Sequence, residues 1–130
     1  MKDIFSFTIL LLFVPIVLCA QEKSTLVDKP AEILIGEWTI DLRPTPKSDP
    51  YFQSFIVELT EENKFEGTFY GSKIENSFLN ANWEKLYFAF TTKDQSNEYY
   101  HSGYVQNGKL FGITYCPNRE LTAPWTGEKK

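Results

Sequence analysis

From Ile33 onward the hydrophobic and polar positions alternate in short runs. In Ile35 to Arg43, Trp38, Ile40 and Leu42 fall on one face while Glu37, Thr39, Asp41 and Arg43 fall on the other, the period of two of a half-buried strand. Tyr51 to Leu59 sets Tyr51, Phe55, Val57 and Leu59 in one row, with Gln53 its polar member. Lys64 to Tyr70 alternates Phe65, Gly67 and Phe69 against Glu66, Thr68 and Tyr70, and Lys85 to Thr92 alternates Leu86, Phe88 and Phe90 against Tyr87, Ala89 and Thr91. A weaker run, Ile74 to Leu79, is interrupted by Asn76. Tyr99 to Gln106 and Lys109 to Tyr115 flank Asn107-Gly108, whose tolerance of positive φ predicts a type I′ hairpin turn. Leu121 to Thr126 is the last run, with Pro124 marking a point where one ladder hydrogen bond is missing.

No run beyond residue 20 has the helical period of 3.6. The pattern predicts an all-β domain over residues 33–127, an up-and-down antiparallel meander barrel of about eight strands. Within it, the inward Gly67 predicts a bend or bulge at a barrel corner. Only one connection is long: Pro44 to Pro50 holds three prolines in seven residues, which forbids a ladder and favours a stiff extended loop.

The first 20 residues read differently. Lys2 precedes an apolar run from Ile4 to Leu18, followed by Cys19-Ala20 and a polar stretch, the three regions of a secretory signal peptide with cleavage expected after Ala20. A lipoprotein anchored at Cys19 is the alternative, but Leu18 is large for the position before a lipidated cysteine. Residues 21–32, polar and without period, are expected to form a flexible leader. The mature chain is therefore expected to be exported, periplasmic or secreted, with no transmembrane span, since the apolar run is shorter than the roughly 20 residues a span needs.

Charge and cysteine narrow the chemistry. The formal charge is −4, and the basic residues are scattered singly apart from Lys129-Lys130, so no stripe exists to neutralise a run of phosphates and nucleic acid is not an expected partner. Loss of Cys19 with the signal peptide would leave Cys116 without an intramolecular disulfide partner, so the domain has to be held by a core rich in aromatic residues. His101 is the single histidine, which excludes metal sites built from two or three histidines, and no cofactor is expected. A Cys116 nucleophile activated by His101 is weighed against the plainer reading of Cys116 as a small buried residue at a strand end, which is preferred. The carboxylates Glu37, Asp41, Glu58, Glu66 and Glu84 mostly lie opposite the apolar row of their own strand, so they are read as surface and not as an acid/base pair. The expectation is a protein that is not an enzyme.

Gly36-x-Trp38 on the first strand, a long loop after it, a meander of about eight strands and Arg119 just before the last strand together resemble the calycins, the lipocalin and avidin class of ligand-binding barrels. The resemblance covers residues 35–126 in layout; the second lipocalin motif and the C-terminal helix are absent. It implies that Trp38 packs near a closed end and that Arg119 crosses it, with Gly36, Trp38 and Arg119 as closure residues. It also implies a small apolar or amphipathic ligand held by the barrel, for which Tyr51, Phe90, Tyr100 and Tyr104 are the expected lining, with the Pro44 to Pro50 loop at the mouth. The alternative is a solid barrel that binds a protein or glycan through its surface, motivated by Phe52, Ile56, Tyr70 and Tyr87 on outward rows. The residues leave oligomeric state open.

Overall fold

The computed structural model describes residues 30–130, with the backbone but not the side chains of Pro30, Leu59 and Thr60. The expected signal peptide, Cys19 and nearly all of the expected leader lie outside the described residues. The domain is a nearly closed antiparallel barrel of nine strands. In chain order these are β1 (Gly36–Asp41), β2 (Phe52–Glu61), β3 (Lys64–Phe69), β4 (Ser72–Lys73), β5 (Glu75–Asn80), β6 (Leu86–Lys93), β7 (Glu98–Gln106), β8 (Lys109–Cys116) and β9 (Leu121–Lys129). Neighbours in the wall run β4-β3-β2-β1-β9-β8-β7-β6-β5, so the first and last long strands pair and close the meander.

The ninth strand is the one not expected. The weak run at Ile74 to Leu79 is preceded by β4, which pairs with β3 through Thr68↔Lys73 and Phe69↔Ser72, after which the chain changes partner and β5 pairs with β6. Asn76 sits at φ 49°, an αL conformation that asparagine tolerates, and the register slips between Glu75 and Phe78. Between β3 and β5 a side chain replaces the regular ladder: the Phe65 amide donates to Ser77 Oγ at 3.0 Å, and the Ser77 hydroxyl donates to the Phe65 carbonyl. Gly67 has φ +137°, and a Cβ there would lie 1.8 Å from the Ile56 carbonyl oxygen. The ladder runs through Gly67 in regular register, opposite Val57, and slips instead between Leu59 and Glu61; what Gly67 supplies is the close backbone approach, which no other residue fits.

The interior is packed with rings. Phe55 lies 5.2 Å from Phe90, 5.4 Å from Phe69 and 6.2 Å from Trp125, centroid to centroid. The inward row Phe88–Gly103–Gly112–Trp125 crosses four strands. Its glycines leave room for the rings, since a Cβ on Gly112 would meet the Trp125 indole at 2.2 Å. His101 is buried with them, its ring 4.3 Å from Phe69 and 4.6 Å from Phe90.

Trp38 is buried as expected, and its Nε1–H donates to the Leu34 carbonyl at 2.9 Å. That carbonyl belongs to a 3-10 turn, Pro30–Leu34, which caps this end with Ala31 and Leu34 buried. The packed fold thus begins within the expected leader, and β9 continues past residue 127 to Lys129.

Candidate functional site

Arg119 does not reach Trp38. An antiparallel pair sets the start of β1 beside the end of β9, and the register accordingly places Trp38 opposite Lys129. Arg119, ahead of β9, is at the other end of the barrel. There its Nη1 donates to the Tyr99 hydroxyl at 3.2 Å and its guanidinium lies 5.9 Å from the Tyr99 ring centre. Tyr99 in turn donates to Asp94, whose carboxylate also accepts the Ser96 and Asn97 amides. Arg119 therefore braces a loop rim. The cation over Trp38 is Lys129, its Nζ 5.2 Å from the ring centre. Gly36, at φ +129°, leaves the space through which the Lys129 stem passes.

The four expected lining residues are not brought together. Phe90 is 2% exposed and part of the ring packing. Tyr51, 45% exposed, stands at the rim with its hydroxyl bonded to that of Tyr70. Tyr100, 44% exposed, and Tyr104 lie on the outer face of β7. The period-two rows place them there: His101, Gly103 and Val105 take the inward positions of β7, so their neighbours point out.

Tyr104 does line a depression, an open groove of about 910 Å³ on the outside of the barrel, within the range of about 300–1,000 Å³ usual for small-molecule sites. Its floor is the outer face of β6 to β9, with Tyr87, Tyr104, Phe111, Ile113 and Pro124, and at Gly103 and Gly112 it meets the row that also holds Phe88 and Trp125; its facing wall is the Pro44–Pro46 segment. The groove exists because β1 ends at Asp41↔Thr126. Beyond that point β9 keeps only β8 as a partner, through Ile113↔Pro124, and the missing N–H of Pro124 falls where no β1 strand needs it.

Asp41 fixes the wall. Its carboxylate accepts the Arg43 guanidinium, through Nε at 2.7 Å and through Nη2, and also the backbone amides of Arg43 at 3.0 Å and Tyr51 at 3.1 Å. The Arg43 hydrogen bond is the main reason its pKa falls to about 2. With its lone pairs taken and its charge matched, Asp41 is a clamp for the loop and not a free base. Asp41 and Arg43 are the charged residues among those lining the groove. At the far edge, Lys85 extends over Tyr104, Nζ 4.3 Å from the ring centre, and the opposite side of Tyr104 stacks on Phe111 at 5.4 Å.

No family model, curated protein or solved structure matches this chain.

The remaining chemistry is internal. His101 Nε2 and Nδ1 each hydrogen-bond a threonine hydroxyl at 2.8 Å, Thr92 and Thr114 respectively, and Thr114 Oγ1 also accepts the Trp125 indole N–H at 3.0 Å. Burial pushes the His101 pKa down to about 4, so the ring is neutral at pH 7 with both nitrogens engaged. Neither nitrogen is free to activate Cys116, which is fully buried. Among the described residues no three His, Cys, Asp or Glu side chains are grouped to hold a metal ion. The groove was missed in the sequence because it is made by cross-strand register: Tyr87, Tyr104 and Phe111 are distant in the chain and adjacent on the sheet.

Proposed function

We propose that the chain is an exported, non-catalytic binding protein that holds an amphipathic ligand on the outside of a solid barrel, in the groove between the Pro44–Pro46 wall and the β6–β9 face. One observation carries this reading: the rings that would have lined an interior cavity fill it, while the open apolar concavity lies outside. Tyr87 and Ile113, 40% and 44% exposed, are apolar surface that burial against a ligand would remove from water, at about 25 cal/mol per Å². The Ser102 and Thr126 hydroxyls and the Arg43 guanidinium supply polar contacts. The layout that resembles the calycins and the signal-peptide pattern of the first 20 residues support the same assignment, an exported carrier or capture protein.

The test uses the amphipathic dye anilinonaphthalene sulfonate with the full chain. Saturable binding with fluorescence enhancement is expected, reduced about tenfold in affinity by Tyr87→Ala, with the thermal midpoint retained. Dye binding that Tyr87→Ala and Ile113→Glu leave unchanged would remove the groove from the account.

A further inference from the structure

The outer wall of β6 to β9 is uncharged over three consecutive cross-strand rows. Thr91, Tyr100, Tyr115 and Thr122 form the first. Ala89, Ser102, Ile113 and Pro124 form the second, which Phe78 on β5 prolongs. Tyr87, Tyr104, Phe111 and Thr126 form the third. Charged side chains stand at the borders, where Lys93 pairs with Glu75 at 3.4 Å and Lys109 with Glu128 at 3.2 Å, and from there Lys85 reaches over Tyr104 and Glu98 lies beside Tyr100. At the spacing of residues along and across strands, the rows cover about 13 Å by about 14 Å. The groove takes up the third row and the Ser102, Ile113 and Pro124 part of the second, and the first lies beyond it, with Tyr100 and Tyr115 both exposed and 6.2 Å apart.

We infer that this face binds a neutral oligosaccharide or polysaccharide, lying along the strands from the groove onto the Tyr100–Tyr115 row. The inference rests on the groove being a ligand site and names the class of ligand. Three features of the face select it. Apart from Ala89, Ile113, Pro124 and the Phe rings, every row member carries a hydroxyl, so the surface offers ring area and neutral donors and acceptors in alternation. A pyranose presents the same pair of characters, C–H surface and hydroxyls, and its hydroxyls find neutral partners in the hydroxyls of the rows. The charges that reach the face are few: Arg43 at the groove wall is matched by Asp41, and Lys85 lies over Tyr104, so a polyanion would meet a single further lysine against a protein of net charge −4, and a polycation would meet in the groove only the carboxylate that Arg43 already holds. Finally, β6 to β8 are paired on both sides, and the one open edge, residues 121–125 of β9, is interrupted by Pro124, which has no N–H to offer an added strand. The extent beyond the groove favours a chain of sugars over a single one.

Calorimetric titration of the full chain with neutral hexasaccharides (cello-, xylo- and malto-series) and with an oligogalacturonate of equal length tests this. Saturable binding to at least one neutral series and none to the oligogalacturonate is expected. The Tyr100→Ala/Tyr115→Ala double variant should weaken that binding about tenfold or more while leaving dye binding in the groove and the thermal midpoint near wild type. If no neutral saccharide binds while the dye still saturates the groove, or if the double variant binds sugar as the parent does, the glycan assignment is overturned and the groove reading survives. If sedimentation shows a dimer that Tyr115→Glu dissociates, the face belongs to a second copy of this chain and the assignment is likewise overturned. Loss of both sugar and dye binding in the parent protein removes the groove reading itself.

Discussion

The two halves of the barrel wall are alike inside and different outside. The outer face of β1 to β3 carries Glu37, Asp41, Glu58, Lys64 and Glu66, and Glu58 and Glu66 stand directly opposite one another across β2 and β3, an arrangement that costs a little stability and is tolerated in water. The outer face of β6 to β9 carries rings and hydroxyls without a charge between its bordering ion pairs. Inside, both halves present the same kind of row: Phe55 and Phe69 from one, Phe88, Phe90 and Trp125 from the other. Folding therefore does not require the outer difference. A solvated wall needs only the first pattern; the second exposes apolar area that a soluble surface usually keeps in small patches.

The largest expected effects probe the shared interior. Phe55→Ala on β2 and Trp125→Ala on β9 should each cost about 3–5 kcal/mol as large core truncations, measured by denaturant unfolding. A much smaller cost on one side would break the symmetry of the inside. Next comes pH. His101 has a folded pKa of about 4 against an ordinary value of 6.5, so the unfolded chain binds the proton more readily. Its contribution is complete above about pH 6.5, declines as pH falls, and has been lost by about pH 4, amounting to about 3 kcal/mol over that window. Unfolding free energies measured from pH 7 to pH 4 should show this slope, and His101→Gln should flatten it. Below pH 4 a further decline is expected as Asp41, held down by Arg43, takes up its proton near pH 2.

Smaller still in stability, but larger in contrast, is a charge placed on each outer face. Ile113→Glu and Ile56→Glu alter residues of similar exposure, 44% and 37%, and each should change stability by less than about 1 kcal/mol. Only Ile113→Glu should abolish dye binding in the groove. The smallest effect concerns the border: Glu128→Gln breaks an exposed pair with Lys109 and should shift stability by no more than about 0.5 kcal/mol, read as a thermal midpoint within error of the parent.

What the sequence made legible was what depends on near neighbours. Alternation in β1, β3 and β6 and the Asn107-Gly108 turn with φ of 52° and 73° follow from residues a few positions apart. Pairing of β1 with β9 followed from closing a meander. What failed needed direction or register. Arg119 was expected over Trp38 because it adjoins the last strand, yet antiparallel pairing gives that place to Lys129, at the strand's other end. The ligand-lining expectation treated Tyr100 and Tyr104 as inward, whereas His101 and Val105 hold the inward positions on β7. The groove depends on which strand lies beside which and on where β1 stops, and neither is written in any one segment.

The central claim, a solid barrel with its ligand outside, is tested most directly by a crystal of the full chain grown with saturating anilinonaphthalene sulfonate. The account expects ordered density for the dye against Tyr87, Phe111 and Ile113, facing the Pro44–Pro46 wall, with the Phe55, Phe90 and Trp125 rings in unbroken contact. Density for the dye among those three rings, inside the barrel, would contradict it.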